Sequence, residues 1–182
     1  MKNRRIVVIG SGVLGAAVSY YLSQQTDSPI AIIEQYDLAS GASGANLGQL
    51  SILDRTQDWH MPLAMESLRL YKEMQSEVDV EYEQSGGGVV LLHDDQVHKV
   101  PGLLERLNAL GVQAEFLQGD RVNEQEPNLC ADFIKGFLYC PIEGKLNPLK
   151  VTLAFLDRAR QQGVQVMTRT RVTGFKKNHS RI

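Results

Sequence analysis

A glycine pattern near the amino terminus constrains this chain more than any other feature: Gly10, Gly12 and Gly15 form a G-x-G-x-x-G directly after the apolar run Ile6 to Ile9. Residues Arg5 to Ile9 read as a strand buried on both faces inside a parallel sheet, because the run is β-branched and apolar without alternation. Behind the glycines, Val13 to Gln25 carries small and apolar residues at helical spacing, with Ala16, Ala17, Tyr20 and Tyr21 suited to packing on a sheet. Pro29 stops any helix, and Ile30 to Ile33 supply a second strand that closes at Glu34. Strand, turn, helix and strand in this order make a right-handed parallel crossover, so the predicted fold class is α/β with a parallel sheet.

Each glycine has a separate role. Gly10 permits the tight turn, Gly12 lets a diphosphate approach the backbone, and Gly15 lets helix and strand pack closely. The helix that opens at Val13 and Leu14 offers unpaired amides and the positive end of its dipole to an anion. Glu34 follows 19 residues after Gly15, with Gln35 beside it, at the end of the second strand. A carboxylate there accepts ribose hydroxyls and repels a 2′-phosphate, which predicts a dinucleotide site that disfavours NADP.

A second small-residue segment, ASGASGANLGQL from Ala39 to Leu50, is too glycine-rich for a helix interior and too short for a flexible linker, and is expected to be a tight, shaped loop. Trp59 to Val78 reads as an amphipathic helix with Met61, Ala64, Met65, Leu68, Tyr71, Lys72 and Met74 on one face. Strands are expected at Val89 to Leu92, Gln113 to Leu117, Ile134 to Cys140, Val164 to Thr168 and Arg171 to Phe175. Helices are expected from Val97 to Leu110, ended by Gly111, and from Asn147 and Pro148 to Gln162, ended by Gly163. Residues 1–52 are read as the dinucleotide-binding unit with its loop, 53–144 as an inserted α+β segment, and 145–182 as a return to the first unit.

Composition narrows the partners. Lysine plus arginine (19) nearly balance aspartate plus glutamate (21) with no basic block, so nucleic acid and anionic membranes are not expected as partners. The amino-terminal apolar run is too short for a signal core or an integral membrane segment, which points to the cytoplasm. Cys130 and Cys140 lie too far apart for a C-x-x-C pair and are read as reduced, semi-buried packing residues, with no metal site.

With these residues in place, the chain resembles the amino-terminal part of the FAD-dependent oxidoreductases of the D-amino-acid oxidase, glycine oxidase and sarcosine oxidase (DAO) family. ASGASGANLGQL is similar to the loop those enzymes lay along FAD, and by that resemblance Ala42 and Ser43 lie near the diphosphate, Asn46 belongs to the same cofactor-binding loop, and Leu47, Gly48 and Gln49 pass the flavin ring. Gln49 stands where methionine is commoner. Val172, in RTRVTGF, matches a position whose backbone meets the adenine. YEQSGGGVVLL, EPNL and PIEGKLNP resemble later family segments in the right order. Relatives that attach flavin covalently use a histidine in this loop where this chain has Ala45 or a neighbour, so the resemblance implies non-covalent FAD.

The resemblance implies a Rossmann-like FAD-binding unit joined to an incomplete substrate domain. It also implies oxidation of the C–N bond of a small amine or amino acid by hydride transfer to flavin. Two alternatives are a 2-hydroxy-acid or glycerol-3-phosphate type dehydrogenase, and a truncated or non-catalytic FAD-binding subunit. An isolated chain ending at Ile182 is expected to be inactive, and to self-associate or bind a partner subunit through apolar sheet surface left without cover. His60, Tyr82, His93 and His98 are scattered in the sequence and assemble no nucleophile, base and orienting acid, so no catalytic residue is assigned.

Overall fold

A computed structural model describes residues 5–54 and 59–176 of the chain. Residues 1–4, 55–58 and 177–182, which fall within the expected segments, lie outside the described residues. In chain order the elements are β1 (Ile6–Ile9), α1 (Val13–Ser23), β2 (Ile30–Ile33), α2 (Ala42–Ala45), β3 (Gln49–Leu50), α3 (His60–Glu77), β4 (Gly87–Leu91) and α4 (Asp94–Val97). They continue with α5 (Val100–Ala109), β5 (Glu115–Leu117), α6 (Asp120–Gln125), β6 (Gly136–Cys140), β7 (Gly144–Lys145), α7 (Pro148–Gln161) and β8 (Gln165–Met167). Two compact units result, one from Met1–Leu47 with Asn147–Ile182 and the other from Gly48–Leu146. Gly48 to Ile52 therefore belong with the second unit, and Leu146 ends it.

In the first unit, β1, β2 and β8 form a parallel sheet in that order, with Ile6 opposite Ile30, Ile9 opposite Ile33, and Ile32 opposite Val166. The fold is α/β, as predicted. Helices α1 and α7 pack on one another: Phe155 meets the rings of Tyr20 and Tyr21 at 5.9 and 6.0 Å, and Ala16, Ala154 and Ala159 are buried where the backbones approach. The start of α7 follows from Asn147 and Pro148. The Asn147 side-chain oxygen accepts from the amides of Leu149 and Lys150, both at 3.1 Å, and Pro148 fills a first-turn position that needs no donor.

Two expectations for this unit are corrected. Arg5 to Ile9 are expected to be buried on both faces, but Val7 and Ile9 of β1 are 49% and 55% exposed, and the buried run is Ile30, Ala31 and Ile32 of β2. β1 is an edge strand among the described residues, and Val8, on the opposite face from Val7 and Ile9, is the side chain turned toward Gly15 of α1. Arg171 to Phe175 form no strand. The last ladder-like contact is Thr170 N to Glu34 O at 2.9 Å, and a β-branched sequence makes no strand without a neighbour to pair with.

The second unit is built on an antiparallel sheet in the order β4-β6-β5, with Val89 and Phe116 both opposite Leu138. Its core gathers Met61 and Leu68 of α3, Val100 and Leu107 of α5, and Leu138 and Cys140 of β6 around Ile52 and Leu53. β3 and β7 form a separate short antiparallel ribbon, Gln49 opposite Lys145 and Leu50 opposite Gly144. The helix expected from Val97 to Leu110 is α5, which starts at Val100, and the short α4 before it was not expected. Pro101 cannot donate to a preceding carbonyl, so the chain restarts a helix with Pro101 in its first turn. His93 and Gln96 close α4 with a reciprocal capping box. Cys140 is buried and free, whereas Cys130 is free and exposed, contrary to the semi-buried reading. No helix among the described residues is long and apolar enough to cross a membrane.

Candidate functional site

The first unit gathers its distinctive residues at the carboxyl ends of β1 and β2. At Gly10 the backbone turns with φ of +99°, a left-handed value that a side chain would oppose. Its amide donates to the Ile33 carbonyl at 2.8 Å, which ties the turn to the end of β2. A Cβ on Gly15 would lie 2.1 Å from the Gly10 carbonyl oxygen, so α1 starts flush against the turn. Gly12 caps α1 with extended backbone and no side chain over the first amides. Ser43 of α2 reaches this helix end, its hydroxyl accepting from the Val13 amide at 2.9 Å. A Cβ on Gly12 would stand 2.9 Å from the same hydroxyl.

Glu34 faces the turn. Its Oε2 accepts from the Ser11 amide at 2.9 Å and the Ser11 hydroxyl at 3.1 Å, and its Oε1 accepts from the Tyr36 amide at 2.9 Å. These bonds, the Ser11 amide foremost and then the Tyr36 amide, hold the carboxyl below the ordinary glutamate range despite partial burial. Beside it opens a cleft of about 200 Å³ walled by Gly10, Glu34, Gln35, Thr170, Arg171 and Val172, among others.

Gly10, Gly12, Val13, Gly15, Glu34, Gln35, Ser43 and Val172 thus cluster around one end of the parallel sheet, with Leu14 exposed on the first turn of α1. Asn46 folds back on α2, its amide nitrogen donating to the Ala42 and Ser43 carbonyls at 3.1 and 2.8 Å, and Leu47 is exposed. The segment read as a shaped loop includes one helical turn, Ala42–Ala45, which its small side chains allow. Gly48 and Gln49 lie in the second unit, where the Leu146 amide donates to the Gly48 carbonyl at 3.0 Å. There Gln49, Leu50, Ser51, His60, Ser67 and Tyr71 contribute to the wall of a separate cleft of about 290 Å³.

Sequence reasoning missed Ser11, which is fully buried and supplies two of the donors to Glu34, as well as Thr170 and Arg171 of the cleft wall. A small hydroxyl residue between two glycines was the available signal for Ser11. The four scattered candidates remain apart: His60 faces the second cleft, Tyr82 is half-buried near Met65 and Ile142, His93 caps α4, and His98 is exposed. Burial pushes the Tyr82 hydroxyl above its ordinary value. Among the described residues no group of His, Cys, Asp and Glu could hold a metal ion.

Glu34 also makes stability depend on pH. A carboxyl whose folded value lies below its unfolded one stabilises the fold above the ordinary glutamate range, and that contribution is lost as pH falls through the depressed value. Glu34→Gln should therefore lower the denaturation midpoint at neutral pH, and the gap to the parent should close on acidification below about pH 4. Urea titrations of both proteins at neutral and acidic pH check this, and a gap of constant size would contradict it.

Residues 5–182 match the family of FAD dependent oxidoreductases (DAO). The pyruvate dehydrogenase phosphatase regulatory subunit, mitochondrial, of Mus musculus is 29% identical over 92% of this chain and 19% of its own length. Sarcosine oxidase subunit beta of Arthrobacter sp is 27% identical over 100% of this chain and 46% of its own. In the crystal structure of glycine oxidase from Bacillus cereus ATCC 14579, 27% identical, the fold superposes with a TM-score of 0.82 over 98% of this chain and 49% of that one. The chain spans between a fifth and a half of the length of these relatives. With the match extending over nearly every residue from the first strand onward, the chain belongs to the family of FAD dependent oxidoreductases.

Proposed function

We propose that this chain is the FAD-binding portion of a flavin-dependent oxidoreductase that oxidises the C–N bond of a small amine or amino acid. The observation that carries the reading is the Glu34 carboxylate seated 2.9 Å from the Ser11 amide, inside a glycine turn that opens a helix. That pairing puts an anion-binding helix end and a hydroxyl-binding acid side by side.

The residues fit the cofactor. Gly12 puts no side chain of its own over the amino-terminal end of α1, and the Ser43 hydroxyl stands on the Val13 amide, so the amides from Gly12 to Gly15 together with Ser43 are the groups that would hold the diphosphate, with Ala42 and Asn46 in the same loop. Glu34 would hold the ribose, and Gln35 and Val172 would flank the adenine. Leu47, Gly48 and Gln49 would pass the ring, and Ala45 gives no nucleophile for a covalent link. FAD, when bound, supplies the hydride acceptor that converts an amine into an imine. This chain's part is to bind and orient.

A second reading, a non-catalytic FAD-binding subunit, is favoured by the 29% identity to a relative named as a regulatory subunit. Titration of the purified chain with FAD, followed by flavin fluorescence and visible absorbance, tests the shared premise: saturable, dialysable binding is expected, and none at micromolar protein would refute both readings. Anaerobic addition of small amines and of 2-hydroxy acids to the FAD complex then separates them. Bleaching by amines supports the first reading, bleaching by hydroxy acids alone the alcohol alternative, and either result excludes the non-catalytic one.

A further inference from the structure

Glu143 is a carboxylate in an apolar interior. It is 1% exposed, on the turn between β6 and β7, next to Cys140 and the core residues Ile52 and Leu53. A carboxylate taken out of water persists there only if hydrogen bonds replace its hydration. Oε1 accepts from the Ile52 amide at 2.5 Å, the Leu53 amide at 2.7 Å and the Ser51 hydroxyl at 3.2 Å. All three donors lie on the segment that leaves β3, some ninety residues away in sequence.

The surroundings are shaped to admit the acid. A Cβ on Gly87 would lie 2.5 Å from Glu143 Oε2, so glycine at that position of β4 leaves the space the carboxylate occupies. The Gly86 amide donates to the Glu143 carbonyl at 2.9 Å, which fixes the acid's own backbone. An apolar residue would suit this core better on burial alone. What the acid adds is a defined position for Ser51, Ile52 and Leu53, which follow the end of the β3–β7 ladder.

We propose that Glu143 is the positioning residue that presets the segment from Gly48 to Leu53 before any ligand binds. β7 grips the first half through Gln49–Lys145 and Leu50–Gly144, and the carboxylate grips the second. Gln49, Leu50 and Ser51 also wall the 290 Å³ cleft, so the same anchor sets that wall. The inference deepens the proposed function, and rests on it for one clause only: that Gly48 and Gln49 pass the flavin ring. A preset wall costs less ordering when cofactor or substrate arrives.

Amide hydrogen exchange on the 182-residue chain without cofactor tests the anchor. In the parent, the Ile52 and Leu53 amides should exchange about a hundredfold slower than unstructured amides, although they lie outside any strand. In Glu143→Gln, which keeps the shape and removes the charge, their protection should fall about tenfold. The amides of Leu138 and Leu107 in the same core should be unchanged. Loop-like exchange of Ile52 and Leu53 in the parent would overturn the proposal even if the variant failed to fold, and so would unchanged protection in a folded Glu143→Gln. FAD titration of the parent is read separately: failure to bind removes the flavin reading and leaves the anchor to be judged by exchange. If the parent binds FAD, Glu143→Gln should bind it about tenfold more weakly while Ser11 and Val13 keep their protection. Equal affinity in both proteins would overturn the link to the cofactor.

Discussion

Gly15→Ala should destabilise the first unit by about 3 kcal/mol, the cost of forcing one methyl into a packed backbone contact. The new Cβ would stand 2.1 Å from the Gly10 carbonyl oxygen and 3.2 Å from its carbon. Neither atom can rotate away, because the Gly10 amide is held by Ile33 and the turn connects two fixed elements. Relief requires α1 to move off β1, and that disturbs the packing of Tyr20 and Tyr21 on Phe155 as well. Gly102→Ala is the matched control: Gly102 lies within α5, a Cβ added there would meet nothing within 4 Å, and a helical alanine should stabilise by about 0.5–1 kcal/mol. Denaturant unfolding followed by circular dichroism compares the two, and a parent-like Gly15→Ala would mean that α1 does not sit against the turn.

Local chemistry explains which parts of this fold were readable. The sequence from Ile6 to Glu34 specifies its elements within short windows: apolar β-branched runs, glycines at fixed offsets, and Pro29 as a break. Asn147 and Pro148 likewise announce α7 without help from elsewhere. Where pairing partners decide, the reading failed. Arg171 to Phe175 has strand composition and no strand, and Ile6 to Ile9 has buried composition with one face open. Pro101 marks the first turn of α5, whereas Asp94 to Val97, with one apolar residue in four, gives no sign of α4.

The site divides in the same way. Gly10, Gly12, Gly15 and Glu34 are visible as spacing because one βαβ unit carries them all. The meeting of Ser43 with Val13 and of Glu34 with Ser11 is tertiary, and only the resemblance of ASGASGANLGQL to a known loop pointed toward the first of these contacts. Glu143 left no trace that could be read, since a lone acid in a turn is ordinarily solvated. Its role emerges only when distant amides converge on one oxygen.

Gly12→Val should leave the fold intact and lower FAD affinity by about a hundredfold or more, a loss of about 3 kcal/mol in binding. The contrast with Gly15 lies in what each new side chain meets. At Gly12 the backbone is extended with φ of −67°, which valine adopts readily, and the nearest atom is the end of the Ser43 side chain rather than backbone. Ser43 can rotate away, giving up its bond from the Val13 amide, a modest cost. The valine branches would then cover the amino-terminal end of α1, where the diphosphate needs bare amides. Circular dichroism should therefore match the parent while FAD titration shows no saturation at concentrations that fill the parent site. A folded Gly12→Val that binds FAD as tightly as the parent would show that the phosphates sit elsewhere, and the cradle assigned to Gly10 through Gly15 would have to be abandoned.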